Sequence, residues 1–200
     1  MAVRDSKTEE LIKEAAKKLF FVEGRFNATT QEIADAAGVN RTLVNYYFRS
    51  RDILFSHVLT DARTAMRQRM ETFLEKATDL RSKLAHVIDF YMEQAIEYPY
   101  LDTYMVTKMN EEIEADGKVF SDGGFAARIK TFLLEIEEEM NRGNIRKSSP
   151  QQFFINFSSL LSNPICFTPM YRKMLNLSEK QYRQIIKERK DIILDLLFMK

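Results

Sequence analysis

The sequence contains few of the residues that interrupt helices. Its 200 residues include 6 glycines and 4 prolines, whereas average usage of about 7% and 5% would give roughly twenty-four of the two together. Sandwiches and barrels need many turns, so this shortage disfavours an all-β fold and favours long helices with few joints. Hydrophobic residues at 45% and charged residues at 30% exclude a mainly disordered chain.

The sequence also has little cysteine, no long apolar stretch and no excess of charge of one sign, and each of these restricts the functions that the protein could have. The one cysteine, Cys166, permits no internal disulfide and fits a reducing compartment, and we interpret it as an ordinary buried thiol. No stretch approaches eighteen apolar residues and the first residues lack the apolar core of a signal peptide, so we expect no membrane span and a cytoplasmic location. The 30 basic and 29 acidic residues nearly cancel, so nucleic-acid binding would need a local patch.

The sequence also lacks the usual patterns of catalytic and metal sites. The two histidines, His57 and His86, lie on different predicted helices without the spacing of paired metal ligands. No P-loop and no glycine-rich dinucleotide motif is present. We therefore predict no catalytic residue, no metal and no cofactor.

Apolar residues recur with a helical period through most of the chain. The row from Leu80 to Ile96 and the stripe from Tyr182 to Leu197 are clear examples. The pattern predicts an all-α fold of about nine helices, three of them short and within the first fifty residues. Pro164 and Pro169 predict a kink or break in the helix that contains them.

Two short helices joined by a glycine form the most informative stretch. Thr29 and Glu32 have the spacing of a capping box at the start of the first of them. Gly38 supplies the positive φ that a sharp turn between helices commonly needs. Asn40 is a good N-cap for the second helix, predicted over residues 41–47. This arrangement predicts a helix-turn-helix, whose second helix can lie in the major groove of DNA.

The residue types of the second short helix suit contact with DNA. Between Gly38 and Arg51 there are three arginines and no acid. Arginine and asparagine can read base edges through paired hydrogen bonds, while hydroxyl groups and helix N-terminal amides can hold phosphates. A helix–glycine–helix corner is also common in proteins that bind no DNA, and the arginines could equally form a solvated face.

The sequence TTQEIADAAGV at residues 29–39, followed by YYFRSRDIL at 46–54, resembles the signature of the tetracycline-repressor (TetR) family of bacterial transcription regulators. The resemblance covers roughly residues 7–55. It implies a homodimeric repressor with an N-terminal helix-turn-helix domain and a C-terminal helical domain for ligand binding and dimerisation. We place the first domain at residues 1–50 and the second at 51–200.

The resemblance also implies roles for individual residues. Thr30, Tyr47 and Arg51 would contact phosphates, with Arg51 at a position where the family usually has lysine. The remaining predicted DNA-binding residues, which would face the groove or begin the second helix, are Asn40, Arg41, Thr42, Asn45 and Tyr46. The family often has small residues where this chain has Thr42 and Leu43, so the operator sequence of another member does not transfer.

The C-terminal body is predicted to bind a small effector and a second copy of the chain. Soft and aromatic side chains in the middle helices favour an apolar or aromatic ligand, although ordinary core packing also explains them. The predicted ligand-binding residues are Met66, Met70, Tyr91, Met92, Tyr104, Met105 and Phe132. The last helices supply the predicted dimer interface: Phe153, Phe157, Leu160, Ile186, Ile193 and Leu197. Internal packing is again an alternative.

The function predicted from the sequence is a ligand-responsive regulator that binds a palindromic operator in double-stranded DNA as a homodimer. A helical binding or scaffold protein with a purely structural helix-turn-helix is the alternative. A helical-bundle enzyme with dispersed catalytic residues is a weaker third possibility.

Overall fold

A computed structural model describes residues 6–74, 77–116 and 124–198, and all regular structure within these ranges is helical. The all-α fold class predicted from the sequence is confirmed. The ten α-helices of the described ranges are α1 (Ser6–Lys17), α2 (Thr30–Ala37), α3 (Arg41–Phe48), α4 (Arg51–Leu74), α5 (Leu80–Glu97), α6 (Leu101–Asp116), α7 (Gly124–Asn141), α8 (Pro150–Cys166), α9 (Thr168–Met174) and α10 (Glu179–Phe198). A π-helical turn, Lys18–Val22, continues α1.

The extra helix relative to the predicted nine arises at the proline pair. α8 runs through Pro164 and ends at Cys166, and α9 begins at Thr168. Pro169 lies in the first turn of α9, where a missing N–H costs nothing because that group has no intrahelical partner. The break therefore falls at Phe167, between the two prolines.

The chain divides into two compact units. The first, here the N-terminal unit, comprises Met1–Arg69 and Glu97–Leu101; the second, the C-terminal unit, comprises Met70–Ile96 and Asp102–Lys200. Helices α4, α5 and α6 each contribute residues to both units. None of the helices in the described ranges is long and apolar enough to cross a membrane.

The N-terminal unit is built on a small aromatic core. Phe20 lies edge-on to Phe55 of α4, with their ring centroids 5.1 Å apart. The other residues of this core come from α1 to α4, the π-helical turn and the loop before α2, and are Ile12, Ala16, Leu19, Phe21, Ala28, Ile33, Ala34, Val44, Phe48, Leu54, Val58 and Leu59. Burial of these side chains fixes α2 and α3 against α1, and it leaves their opposite faces to solvent.

The C-terminal unit has a larger aliphatic core. The row of apolar residues along α5 is buried as its spacing predicts, with Leu84 and Ile88 fully enclosed. Residues of α7, α8 and α10 complete this core: Ile136, Met140, Phe153, Phe157, Leu161, Ile165, Tyr182, Ile186, Ile193, Leu194 and Leu197. Lys190 of α10 pairs with Asp89 of α5 at 2.5 Å on the edge of the core.

Candidate nucleic-acid interface

The start of α2 is fixed by the capping box that the sequence predicts. The Thr29 hydroxyl oxygen accepts from the Glu32 backbone N–H at 3.3 Å, and the Glu32 carboxylate accepts from the Thr29 N–H at 2.7 Å. The hydrogen bonds that the Thr29 N–H and the Thr29 hydroxyl donate to the Glu32 carboxylate lower its pKa, aided by Arg25, which pairs with it. Thr30, the first residue of α2, is thereby held half-exposed at the helix N-terminus.

The turn between α2 and α3 requires glycine because of its backbone conformation. Gly38 has φ 66° and ψ 30°, and its N–H reaches the Asp35 carbonyl at 3.2 Å, while the Val39 N–H reaches the Ala34 carbonyl at 3.0 Å. Nothing lies within 4 Å of the position of a Cβ atom. A larger residue would fit in the space around Gly38. It would be strained there only because of the left-handed φ.

Helix α3 buries one face and presents the other. The Asn40 side chain accepts from the Thr42 N–H at 2.8 Å and so caps the helix. Val44 and Phe48 point into the core, and Tyr46 is 54% exposed. The predicted groove-facing residues are all exposed: Asn40, Arg41, Thr42, Asn45 and Tyr46. Their i, i+3 and i+4 spacing places Arg41, Thr42, Asn45 and Tyr46 on one side of the helix.

Two residues predicted to contact phosphate are less accessible. Tyr47 is only 9% exposed, and its ring lies edge-on to Tyr46 with centroids 5.3 Å apart. The guanidinium of Arg51 binds carbonyl groups of the loop before α2, through its Nε to Ala28 at 3.2 Å and through its Nη2 to Phe26. Residue type did not reveal the contacts of Arg51, because they join positions more than twenty residues apart.

The matched region coincides with this interface. Residues 12–58 match the family model described as bacterial regulatory proteins, tetR family, and they contain the capped α2, the Gly38 turn and the exposed face of α3. Through this segment the chain is similar to the TetR family of bacterial regulatory proteins. The family consists of transcriptional regulators, which are not enzymes.

The whole chain is similar in fold to solved TetR-family regulators. The ketosteroid regulator KstR2 of Mycobacterium tuberculosis has a TM-score of 0.70 at 15% identity, with 99% of this chain and 98% of that chain covered. FadR of Bacillus subtilis, solved with stearoyl-CoA, has a TM-score of 0.64 at 14% identity, with 92% and 97% covered. PfmR of Thermus thermophilus has a TM-score of 0.63 at 15% identity, with 97% and 96% covered. No curated protein matches the sequence.

The predicted ligand-binding residues do not all fall in one unit of the chain. Met66 belongs to the N-terminal unit and the other six to the C-terminal unit. In the latter, Met92 is buried, whereas Met70, Tyr91, Tyr104, Met105 and Phe132 are partly buried. In the described ranges, no group of three or more histidine, cysteine or acidic side chains is arranged to hold a metal ion.

One of these residues, Tyr91, forms a hydrogen-bonded pair with a buried acid. The Tyr91 hydroxyl donates to the carboxylate of Asp102, which is 6% exposed. Burial raises the pKa of Asp102 to about 6, and it raises the pKa of Tyr91 as well. Gln94 is the other buried polar residue among those described. The burial of Asp102 was not predictable from the sequence, because an acid in the first turn of a helix usually lies in solvent.

The predicted dimer residues pack mainly inside their own chain. Five of them, Phe153, Phe157, Ile186, Ile193 and Leu197, are buried in the core of the C-terminal unit, and Leu160 is partly buried against it. The exposed apolar residues of the same helices occupy neighbouring positions. Ile155 of α8 and Ile185, Ile192 and Leu196 of α10 point away from that core.

Proposed function

We propose that the chain is a transcriptional repressor that binds a palindromic DNA operator as a homodimer and is released by a small, largely apolar or aromatic molecule. The observation that carries the proposal is the outward face of α3. It presents Arg41, Thr42, Asn45 and Tyr46 together, beside a helix N-terminus capped by Asn40. These side chains can reach base edges when the helix lies in a major groove.

The local charge of this face supports nucleic acid as its partner. Residues 38–51 contain three arginines and no acid, although the whole chain has a net charge of only +1. Arg41 and Arg49 are exposed, and Arg49 ends α3 with φ 58°. Positive charge concentrated on one face attracts phosphates and releases counterions, so affinity should fall steeply as salt rises.

A second copy of the chain would supply the other half-site. Three exposed apolar residues of α10 are spaced seven and then four residues apart: Ile185, Ile192 and Leu196. This spacing places them in a stripe on the outer side of the helix. Such a stripe costs free energy in water and is typical of a helix that packs against a partner. We therefore place the dimer contact on the outer faces of α8 and α10, next to the predicted residues rather than on them.

The effector site is placed in the C-terminal unit. Partly buried Tyr91, Tyr104, Met105 and Phe132 are the side chains that an apolar or aromatic molecule would contact. Two of the similar structures are named for such chemistry: one is a ketosteroid regulator and another holds stearoyl-CoA. The Tyr91–Asp102 pair offers one polar anchor in these apolar surroundings.

Selection of duplexes from a random pool by the purified full chain tests the proposal. We expect recovery of a palindrome with half-sites about one helical turn apart, and a footprint that covers both halves. Affinity for the recovered duplex should exceed that for a random duplex by at least about a thousandfold. Equal, weak binding to every duplex would favour the alternative of a scaffold with a structural helix-turn-helix. Native mass spectrometry of the same preparation tests for a retained small molecule.

A further inference from the structure

The side chain of Arg51 joins the first turn of α4 to the loop that precedes α2. Its Nε donates to the Ala28 carbonyl at 3.2 Å, its Nη2 donates to the Phe26 carbonyl, and its Nη1 donates to the Asp52 carboxylate at 2.8 Å. All three guanidinium nitrogens are therefore bound within the protein. Three of the five N–H donors are engaged in this way, and a phosphate could use only the other two.

Two neighbouring aromatic rings also contact the same guanidinium. The Cζ atom of Arg51 is 5.5 Å from the centroid of the Phe20 ring and 5.9 Å from that of Phe55. Both distances are within the range of cation–π attraction. Phe20 is fully buried and Phe55 nearly so, so the rings that Arg51 contacts are part of the core and fix the position of its head group.

The contacts of Arg51 also offset an electrostatic repulsion that arises from its position on α4. Arg51 is the first residue of α4, a helix of 24 residues. A positive charge at this end of a helix is repelled by the partial positive charge of the free backbone N–H groups. Bonds to two carbonyls and to Asp52 offset that repulsion.

We infer that Arg51 is a positioning residue for the DNA-binding surface and not a phosphate ligand; the inference rests on the proposed function. The bound carbonyls belong to Phe26 and Ala28, and Ala28 is followed directly by Thr29, the N-cap of α2. Arg51 thus fixes the point at which α2 begins. The orientation of Thr30 and, through the Gly38 turn, of α3 follows from that point.

Lysine cannot make this set of contacts. A guanidinium is planar and offers five N–H donors in a fixed fork, whereas an ammonium is a compact charge with three donors on one atom. One ammonium nitrogen cannot reach two loop carbonyls and Asp52 at once while it also contacts the rings of Phe20 and Phe55. If Arg51 only neutralised a phosphate, lysine would serve equally well.

The test compares Arg51→Lys and Arg51→Met with the wild-type full chain. Binding is measured by fluorescence anisotropy across a salt series, with the duplex recovered by selection and with a random duplex as probes. We expect Arg51→Lys to bind the selected duplex at least about tenfold more weakly, with an unchanged dependence of affinity on salt. We also expect faster amide hydrogen exchange in residues 26–33, a measurement that needs no DNA.

Two variants serve as controls. Val58→Ala removes buried volume from the same unit at a residue with no role in the loop, and at temperatures where it is folded it should bind like wild type. Arg41→Met removes an exposed charge of α3 and should reduce the slope of log affinity against log salt by about one.

The outcomes separate the inference from the proposed function. If Arg51→Lys matches wild type in both affinity and exchange, or if Arg51→Met reduces the salt slope by as much as Arg41→Met does, then Arg51 is a phosphate ligand and the inference is overturned. If the wild-type chain prefers no duplex, the proposed function fails first. Faster exchange in Arg51→Lys would then show a structural clamp only, without a role in DNA binding.

Discussion

The backbone N–H of Tyr100 donates a hydrogen bond to the carbonyl oxygen of Phe21 at 3.0 Å. The π-helical turn after α1 makes this possible. In a continuing α-helix the Arg25 N–H would bind that carbonyl, but here it donates to Leu19 at 2.9 Å. The freed carbonyl therefore binds the segment Glu97–Leu101 into the N-terminal unit.

Gly24 lies where this segment meets the end of the π-turn. It has φ +66°, and a Cβ atom there would lie 2.9 Å from ring atoms of Tyr100. We expect Gly24→Ala to lower the free energy of unfolding by about 2 kcal/mol, since both the left-handed backbone and the contact are unfavourable for alanine. Urea denaturation measures the loss.

A double-mutant cycle separates the two causes. Tyr100→Ala should cost less in the Gly24→Ala background than in wild type, because the crowded ring is already displaced. Equal costs in the two backgrounds would show that the contact between Gly24 and Tyr100 contributes nothing.

Asn45 and Thr30 should differ in how their loss affects DNA binding. Asn45→Ala is expected to change the preferred base at one position of each half-site, worth about 1–3 kcal/mol of discrimination. Thr30→Val is expected to weaken binding to all sequences alike, because a hydroxyl–phosphate contact carries no sequence information. Affinities for single-base variants of the selected duplex measure both effects. A uniform loss with Asn45→Ala would remove that residue from base reading.

The exposed stripe of α10 should control the oligomeric state. Ile192 is 51% exposed, and a glutamate there would place a charge in the proposed contact between two copies. We expect Ile192→Glu to convert a dimer into a monomer in analytical ultracentrifugation. Met174→Glu is the matched control, because Met174 is 69% exposed at the end of α9 and away from that stripe. A dimer that persists in Ile192→Glu would rule out this face.

Asp102 should make the stability of the protein depend on pH. Its pKa is raised to about 6 by burial, so between about pH 4 and 6 the folded state binds the proton that the unfolded state has lost. Stability should therefore fall as pH rises through this window, by about 3 kcal/mol from this group.

The variant Asp102→Asn isolates that contribution. Its amide oxygen can still accept from Tyr91, but it carries no charge at any pH. We expect its free energy of unfolding, relative to wild type, to rise between pH 4 and 6 and to stay constant above pH 7. Parallel curves for the two proteins would show that the Asp102 carboxyl titrates normally.

Local chemistry made much of the N-terminal unit predictable. Thr29 and Glu32 can cap only a helix that starts between them, and Gly38 provides the positive φ for which other residues are strained. Asn40 then caps the next helix through contacts that span two residues. Because all these interactions are short in sequence, residue type and spacing were sufficient to predict them.

Contacts between distant residues were not predictable in this way. Arg51 has the charge of a phosphate ligand, and only the folded loop shows its guanidinium bound to the Phe26 and Ala28 carbonyls. Phe153 and Ile193 have the character of interface residues, but they fill the core of their own chain. When a helix has two apolar faces, residue type alone does not predict which face is buried in the core of its own chain.

The sequence by itself determined that the chain is helical and where its first short helices begin and turn, since each of these depends on neighbours within a few residues. Tertiary structure alone decided which side chains face solvent and which atoms the others meet. Burial of Asp102 beside Tyr91, the position of Arg51 against two rings and the outward stripe of α10 all depend on which helices pack together. That packing is set by the fit of whole faces rather than by any local pattern.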